Sequence, residues 1–112
     1  MSIERWSDDI IIVELQDDPT FTDDLTAILD QLEEQAETNV VLRLAGVSYV
    51  NSSNIAKLLK LRKKLLLGKH RLLLCEMDTK VWGLFLVTGL DKVFDFADDL
   101  PTALASLQLP VE

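Results

Sequence analysis

The sequence is poor in the side chains that most catalytic chemistry needs. It holds one cysteine, Cys75, and one histidine, His70. A lone cysteine cannot close an internal disulfide, so nothing calls for an oxidising compartment. No Cys or His pair shares a coordinating spacing such as CxxC or HxxxH, so no metal site is expected. The four glycines, Gly46, Gly68, Gly83 and Gly89, lie far apart and form neither a phosphate loop nor a dinucleotide fingerprint. There is no GxSxG elbow, and nothing places His70 beside Ser52 for a serine triad. Without convergent groups, neither an enzyme nor a bound cofactor is expected. No apolar run approaches the ~18 residues that would suggest a spanning helix. Met1 to Asp8 lacks the apolar core of a secretory signal. Basic residues are outnumbered, and a net charge of −8 argues against general nucleic-acid binding. The expectation is a small cytoplasmic domain without catalysis of its own.

What is present suits a single globular domain over residues 1–112. Hydrophobic residues make up 48% and charged residues 27%, a folding rather than a disordered composition. The charges are unevenly placed. Residues 1–39 carry twelve acidic side chains and one basic one, Arg5, whereas the window 57–71 carries seven of the eleven basic residues. Acid pairs such as Asp8 with Asp9, Asp17 with Asp18 and Asp98 with Asp99 read as turns and helix caps. The basic window reads as the solvated face of a core helix rather than a membrane-inserting one, because its apolar stripe is needed to cover a sheet.

Ile3 to Trp6 and Ile10 to Leu15 read as two strands about the turn Ser7 to Asp9. Thr22 or Asp23 can cap a helix to about Glu37. Its apolar stripe is Leu25, Ile28, Leu29, Leu32 and Ala36, with Asp24, Asp30, Glu33, Glu34 and Glu37 mainly outward. Val40 to Leu44 reads as a strand buried on both faces. After the next helix starts, Ile55, Leu58, Leu59, Leu65 and Leu66 are placed on its inner face. Lys57, Lys60 and Lys64 are placed opposite, with Arg62 a blemish in the apolar arc. Gly68 is the predicted C-cap. Arg71 to Glu76 is a strand in which Cys75 reads as a small buried hydrophobe. Asp78 or Thr79 caps a helix that Gly89 stops. Asp91 to Phe96 reads as a brief strand. Asp98 caps a last helix with Pro101 in its first turn, contacts from Leu100, Leu104 and Leu107, and an end at Pro110. Strands alternating with about four helices predict an α/β fold with a mixed, mainly parallel sheet.

The stretch from Val47 to Ile55 stands at the centre of this pattern. Asn51, Ser52 and Ser53 are good N-cap residues, so Ser52 or Ser53 is expected where a strand ends and a helix begins. The amides there favour negative charge. A serine in that place can cap, bind an anion or receive a phosphate. The stretch resembles the STAS domains, and within them the bacterial anti-sigma factor antagonists. Their pattern of hydrophobic, Ser, two hydrophobics, Asp, Ser, Ser, Gly falls on Val47, Ser48, Tyr49, Val50, Asn51, Ser52, Ser53 and Asn54. The resemblance continues through Leu72 to Met77, Val81 to Leu90, Val93 to Phe96 and Ala103 with Leu104, and is weak over residues 1–38.

The resemblance implies a binding module. Antagonists of this family bind an ATP-dependent anti-sigma serine kinase and pull it off a sigma factor. The kinase phosphorylates the serine after the family Asp, here Ser52, and a phosphatase reverses this. The implied partner surface comprises Ser48, Tyr49, Asn51, Ser52, Ser53, Asn54 and Lys57, with no nucleic acid and no membrane insertion. Two residues depart from the pattern. Asn51 replaces the Asp, removing a charge beside the acceptor but keeping N-cap ability. Asn54 replaces the Gly, adding a side chain where a kinase approaches. The alternative is a STAS module in a signalling scaffold or a lipid or solute transport complex, without phosphorylation.

Overall fold

The computed structural model of the protein describes residues 3–34 and 38–108. Within them lie five strands, β1 (Ile3–Ser7), β2 (Ile10–Gln16), β3 (Asn39–Gly46), β4 (Leu72–Cys75) and β5 (Asp95–Ala97). Four helices are α1 (Thr20–Glu34), α2 (Ser52–Leu67), α3 (Thr79–Thr88) and α4 (Leu100–Gln108). The sheet runs β1-β2-β3-β4-β5, antiparallel between the first two strands and parallel after that. When spatial order follows chain order, right-handed crossovers carry every connecting helix to the same face. The side chains agree. Ile11, Val13, Leu15, Val40, Leu42, Leu44, Leu72 and Leu74 join one core with residues of α1, α2 and α3. Their alternates Ile10, Ile12, Val41, Leu73 and Cys75 join a second, smaller core with Ala103 of α4. This period-two division explains why β2, β3 and β4 are apolar almost throughout. No helix among the described residues is long and apolar enough to cross a membrane.

Where α4 does not reach, the second face ends in charge. Arg43 donates to both carboxylate oxygens of Glu76 at 2.9 and 3.1 Å, with Glu14 at 3.8 Å. Cys75 is buried, and loss of solvent around it pushes its thiol up to about 11. A thiol held that high stays protonated at neutral pH and is a poor nucleophile.

Several element boundaries differ from those the sequence suggests. Helix α1 begins at Thr20, not at a cap of Thr22 or Asp23, because the Asp18 carboxylate reaches the Thr22 amide at 3.0 Å. That earlier start buries Phe21 completely. On α2 the buried positions are Asn54, Leu58, Leu61 and Leu65. Leu59 and Leu66 are exposed, so the helix is rotated from the predicted face, and Arg62 sits on its flank. Lys60 is exposed, while Lys57 and Lys64 are half-buried beside the core stripe. Gly68 does cap α2, but with φ −86°, and Lys69 takes the left-handed conformation at φ 64°. The segment predicted as a strand from Asp91 forms a short 3-10 turn over Leu90–Lys92, and β5 covers only Asp95–Ala97. Asp78 caps α3 as expected. Asp99 rather than Asp98 caps α4, through the Thr102 amide at 2.9 Å. The predicted end of α1 at Glu37, with Ala36, and the stop at Pro110 lie outside the described residues, as do the Glu33 and Glu34 side chains.

Candidate functional site

Strand β3 delivers the chain to Gly46, and burial alternates in the loop beyond it. Val47 and Val50 are buried and pin the loop to the main core, which leaves Ser48 and Tyr49 facing solvent. Asn51 then caps α2. Its side-chain oxygen accepts the Asn54 amide at 2.8 Å, and the Asn54 side-chain oxygen accepts the Asn51 amide at 3.1 Å. This reciprocal box answers two of the amides that a helix start leaves unpaired. Ser52 and Ser53 are the first two residues of α2, and both are exposed. The helix does begin at Ser52, but the capping is done by Asn51. The Ser52 hydroxyl is thereby spared a structural duty.

The loop is anchored from a distance by two acids of the β2–α1 turn. Ser48 donates to Asp17 twice, from its amide at 2.8 Å and its hydroxyl at 2.6 Å. Asp18 gathers four donors: the Thr22 amide at 3.0 Å, the Thr22 hydroxyl at 2.7 Å, and the Asn54 and Asn51 side-chain amides at 3.0 and 3.3 Å. In the sequence these acids read only as a turn signal. Their hold on the loop was hidden because Ser48, Asn51 and Asn54 lie more than thirty positions away.

These bonds favour the ionised carboxylates. The Ser48 hydroxyl, followed by its amide, holds Asp17 below the usual carboxylate range. The Thr22 hydroxyl, followed by the Asn54 amide, does the same for Asp18. A depressed folded pKa contributes stability above the unfolded value, and that contribution is lost as pH falls through the folded value. The loop is therefore expected to hold unchanged at neutral and mildly acidic pH and to come free only below pH ~4. Amide exchange at Ser48 and Thr22, followed down a pH series, checks this; release already near pH 6 contradicts it.

The structure divides the expected partner residues into two groups. Ser48, Tyr49, Asn51, Ser52 and Ser53 are exposed beyond the carboxyl end of the central strand β3, with Lys57 half-buried in the following turn. Asn54 does not join them. Its side chain is 1% exposed and turned toward Asp18, so it supports the surface from beneath rather than adding bulk to it. Among the described residues, no group of three or more His, Cys, Asp or Glu side chains is placed to hold a metal ion. The arrangement offers an accessible hydroxyl at the positive end of a helix, set on a braced platform.

A family model described as the STAS domain matches residues 6–103. No curated protein matches the chain. Among solved structures it is similar to the anti-sigma factor antagonist SpoIIAA in its unphosphorylated form, at 17% identity and TM-score 0.80 over 98% of this chain and 97% of that one. It is also similar to the Bacillus cell fate determinant SpoIIAA in its phosphorylated form, at 16% identity and TM-score 0.73 over 95% and 97%. A sulfate transporter family protein from Wolinella succinogenes is similar at 19% identity and TM-score 0.75, over 94% and 89%. Likeness at such identities establishes the shared fold. With the family model matched along almost its whole length, the chain belongs to the STAS domain family.

Proposed function

We propose that this domain is an anti-sigma factor antagonist, which binds an anti-sigma serine kinase and frees a sigma factor, with Ser52 as the phosphorylated switch. One observation carries the reading: Ser52 is exposed at the start of α2 while Asn51 makes the cap. The hydroxyl can accept a phosphate without breaking a bond the fold needs. A phosphate there gains from the helix start, since it brings about −1.5 to −2 charge at neutral pH to the positive end of the dipole. The same charge alters a surface whose exposed side chains Tyr49, Asn51 and Ser53 are uncharged. Similarity to SpoIIAA, whose structure is known in both forms, supports the comparison.

The experiment is incubation of the purified protein with its cognate kinase and ATP, followed by peptide mass mapping. A single phosphate on Ser52, absent from Ser52→Ala, is the expected result. Absence of both modification and complex formation rejects the proposal. The Wolinella neighbour favours a second reading, a docking module in a transport complex that needs no phosphate. Recovery of transporter components with equal yield from wild type and Ser52→Ala would select it.

A further inference from the structure

The carboxyl end of the parallel strands, where Ser52 follows β3, also holds a cavity at the ends of β4 and β5. After Cys75 the chain turns through Glu76, a non-glycine residue in the left-handed region at φ 62°. The Glu76 amide donates to the Asp98 carbonyl at 3.3 Å, tying the β4–α3 turn to the β5–α4 turn. Between these turns lies a cavity of about 310 Å³. That is at the lower end of the volumes that hold small ligands, ~300–1,000 Å³.

The lining has a definite chemistry. Leu74, Met77, Trp82 and Phe96 supply apolar and aromatic walls, and two acidic residues, Asp78 and Asp98, stand at its exposed rim. The Trp82 and Phe96 rings meet edge to face, with centroids 5.0 Å apart and planes at 82°. Among the described residues no lysine or arginine lines the cavity; Lys80 in the first turn of α3 is exposed outside it. The amides at the start of α3 would draw an anion, but Asp78 already accepts the Val81 amide at 2.8 Å. An anionic ligand would meet two carboxylates with no cation to offset them. A neutral apolar ligand would strip water from those carboxylates and return nothing. A compact cation with an apolar coat suits a lining that is both acidic and aromatic.

We propose that this cavity binds a small organic cation, an ammonium compound with apolar substituents. The assignment stands on the cavity and its lining, independently of the role of Ser52.

Two tryptophans occur in the chain, and Trp6 lies exposed on the edge strand β1. Trp6→Phe therefore leaves Trp82 as the sole indole reporter. The probes are choline, its uncharged isostere dimethylbutanol, and inorganic phosphate. Choline is expected to change Trp82 emission saturably and to bind about tenfold tighter than the isostere. Asp98→Asn, which alters an exposed side chain, is expected to shrink that preference several-fold. Calorimetry of the unaltered protein with the same compounds reads binding that fluorescence could miss. Equal affinity for choline and dimethylbutanol, a preference for phosphate, or no saturable choline binding by both methods would overturn the proposal.

Discussion

Asn54→Leu is expected to cost about 2–4 kcal/mol of folding stability, although the two side chains are nearly the same shape. Asn54 is buried at the start of α2, and each end of its amide has a partner. Its oxygen accepts the Asn51 amide at 3.1 Å, and its nitrogen donates to the Asp18 carboxylate at 3.0 Å. Leucine removes both bonds. The second is to an ionised group and is the stronger kind of bond. Added apolar burial offsets part of the loss, because position 54 opens the buried stripe completed by Leu58, Leu61 and Leu65. Urea unfolding should show a lower midpoint with an unchanged slope. A change below about 0.5 kcal/mol, the range of ordinary surface substitutions, would show that the bridge to Asp18 contributes little.

The same geometry links the two departures from the family pattern. Both Asn51 and Asn54 donate to one oxygen of Asp18, at 3.3 and 3.0 Å. Restoring aspartate at position 51 would place a carboxylate oxygen where a nitrogen now faces Asp18. Asn51→Asp would thus retain the N-cap and introduce repulsion between like charges. Restoring glycine at position 54 would remove the second donor to Asp18. The two asparagines act as a pair through a residue of a distant turn.

That pairing marks the limit of what the chain shows before it is folded. The alternation of strands with helices was legible because β2, β3 and β4 are continuous apolar runs separated by capped amphipathic segments. The start of α2 was legible from local chemistry, since asparagine and serine compete for helix-start amides. The rotation of α2 was not. Leucines at 58, 59, 61, 65, 66 and 67 satisfy more than one helical stripe. The stripe is set by Asn54, a polar residue whose burial depends on Asp18 far away in sequence. The start of α1 was misplaced for a similar reason, as Asp18 and Pro19 suggested a turn while Asp18 was capping the helix beyond it. Local signals placed the elements. Contacts between turns decided which side chains of the site face out.

Ser52→Glu is expected to weaken binding of the proposed kinase partner by at least about a hundredfold while leaving the fold intact, because like charge or a desolvated carboxylate in an interface costs several kcal/mol. Within the domain the sign is opposite. A carboxylate in the first turn of α2 meets the positive end of the helix, an interaction that contributes roughly 0.3–1 kcal/mol. Ser52 is exposed, and the capping bonds belong to Asn51 and Asn54, so nothing inside the domain must be broken to seat it. Ser52→Ala should bind as wild type does, since the hydroxyl bears no capping duty. Dissociation constants for the three proteins, measured beside their urea midpoints, separate the two effects. Loss of binding with an unchanged or slightly raised midpoint is the signature of a surface switch. Equal binding by all three would move the partner surface away from the start of α2, and a lowered midpoint in Ser52→Glu would show strain at a site where the exposed hydroxyl predicts none.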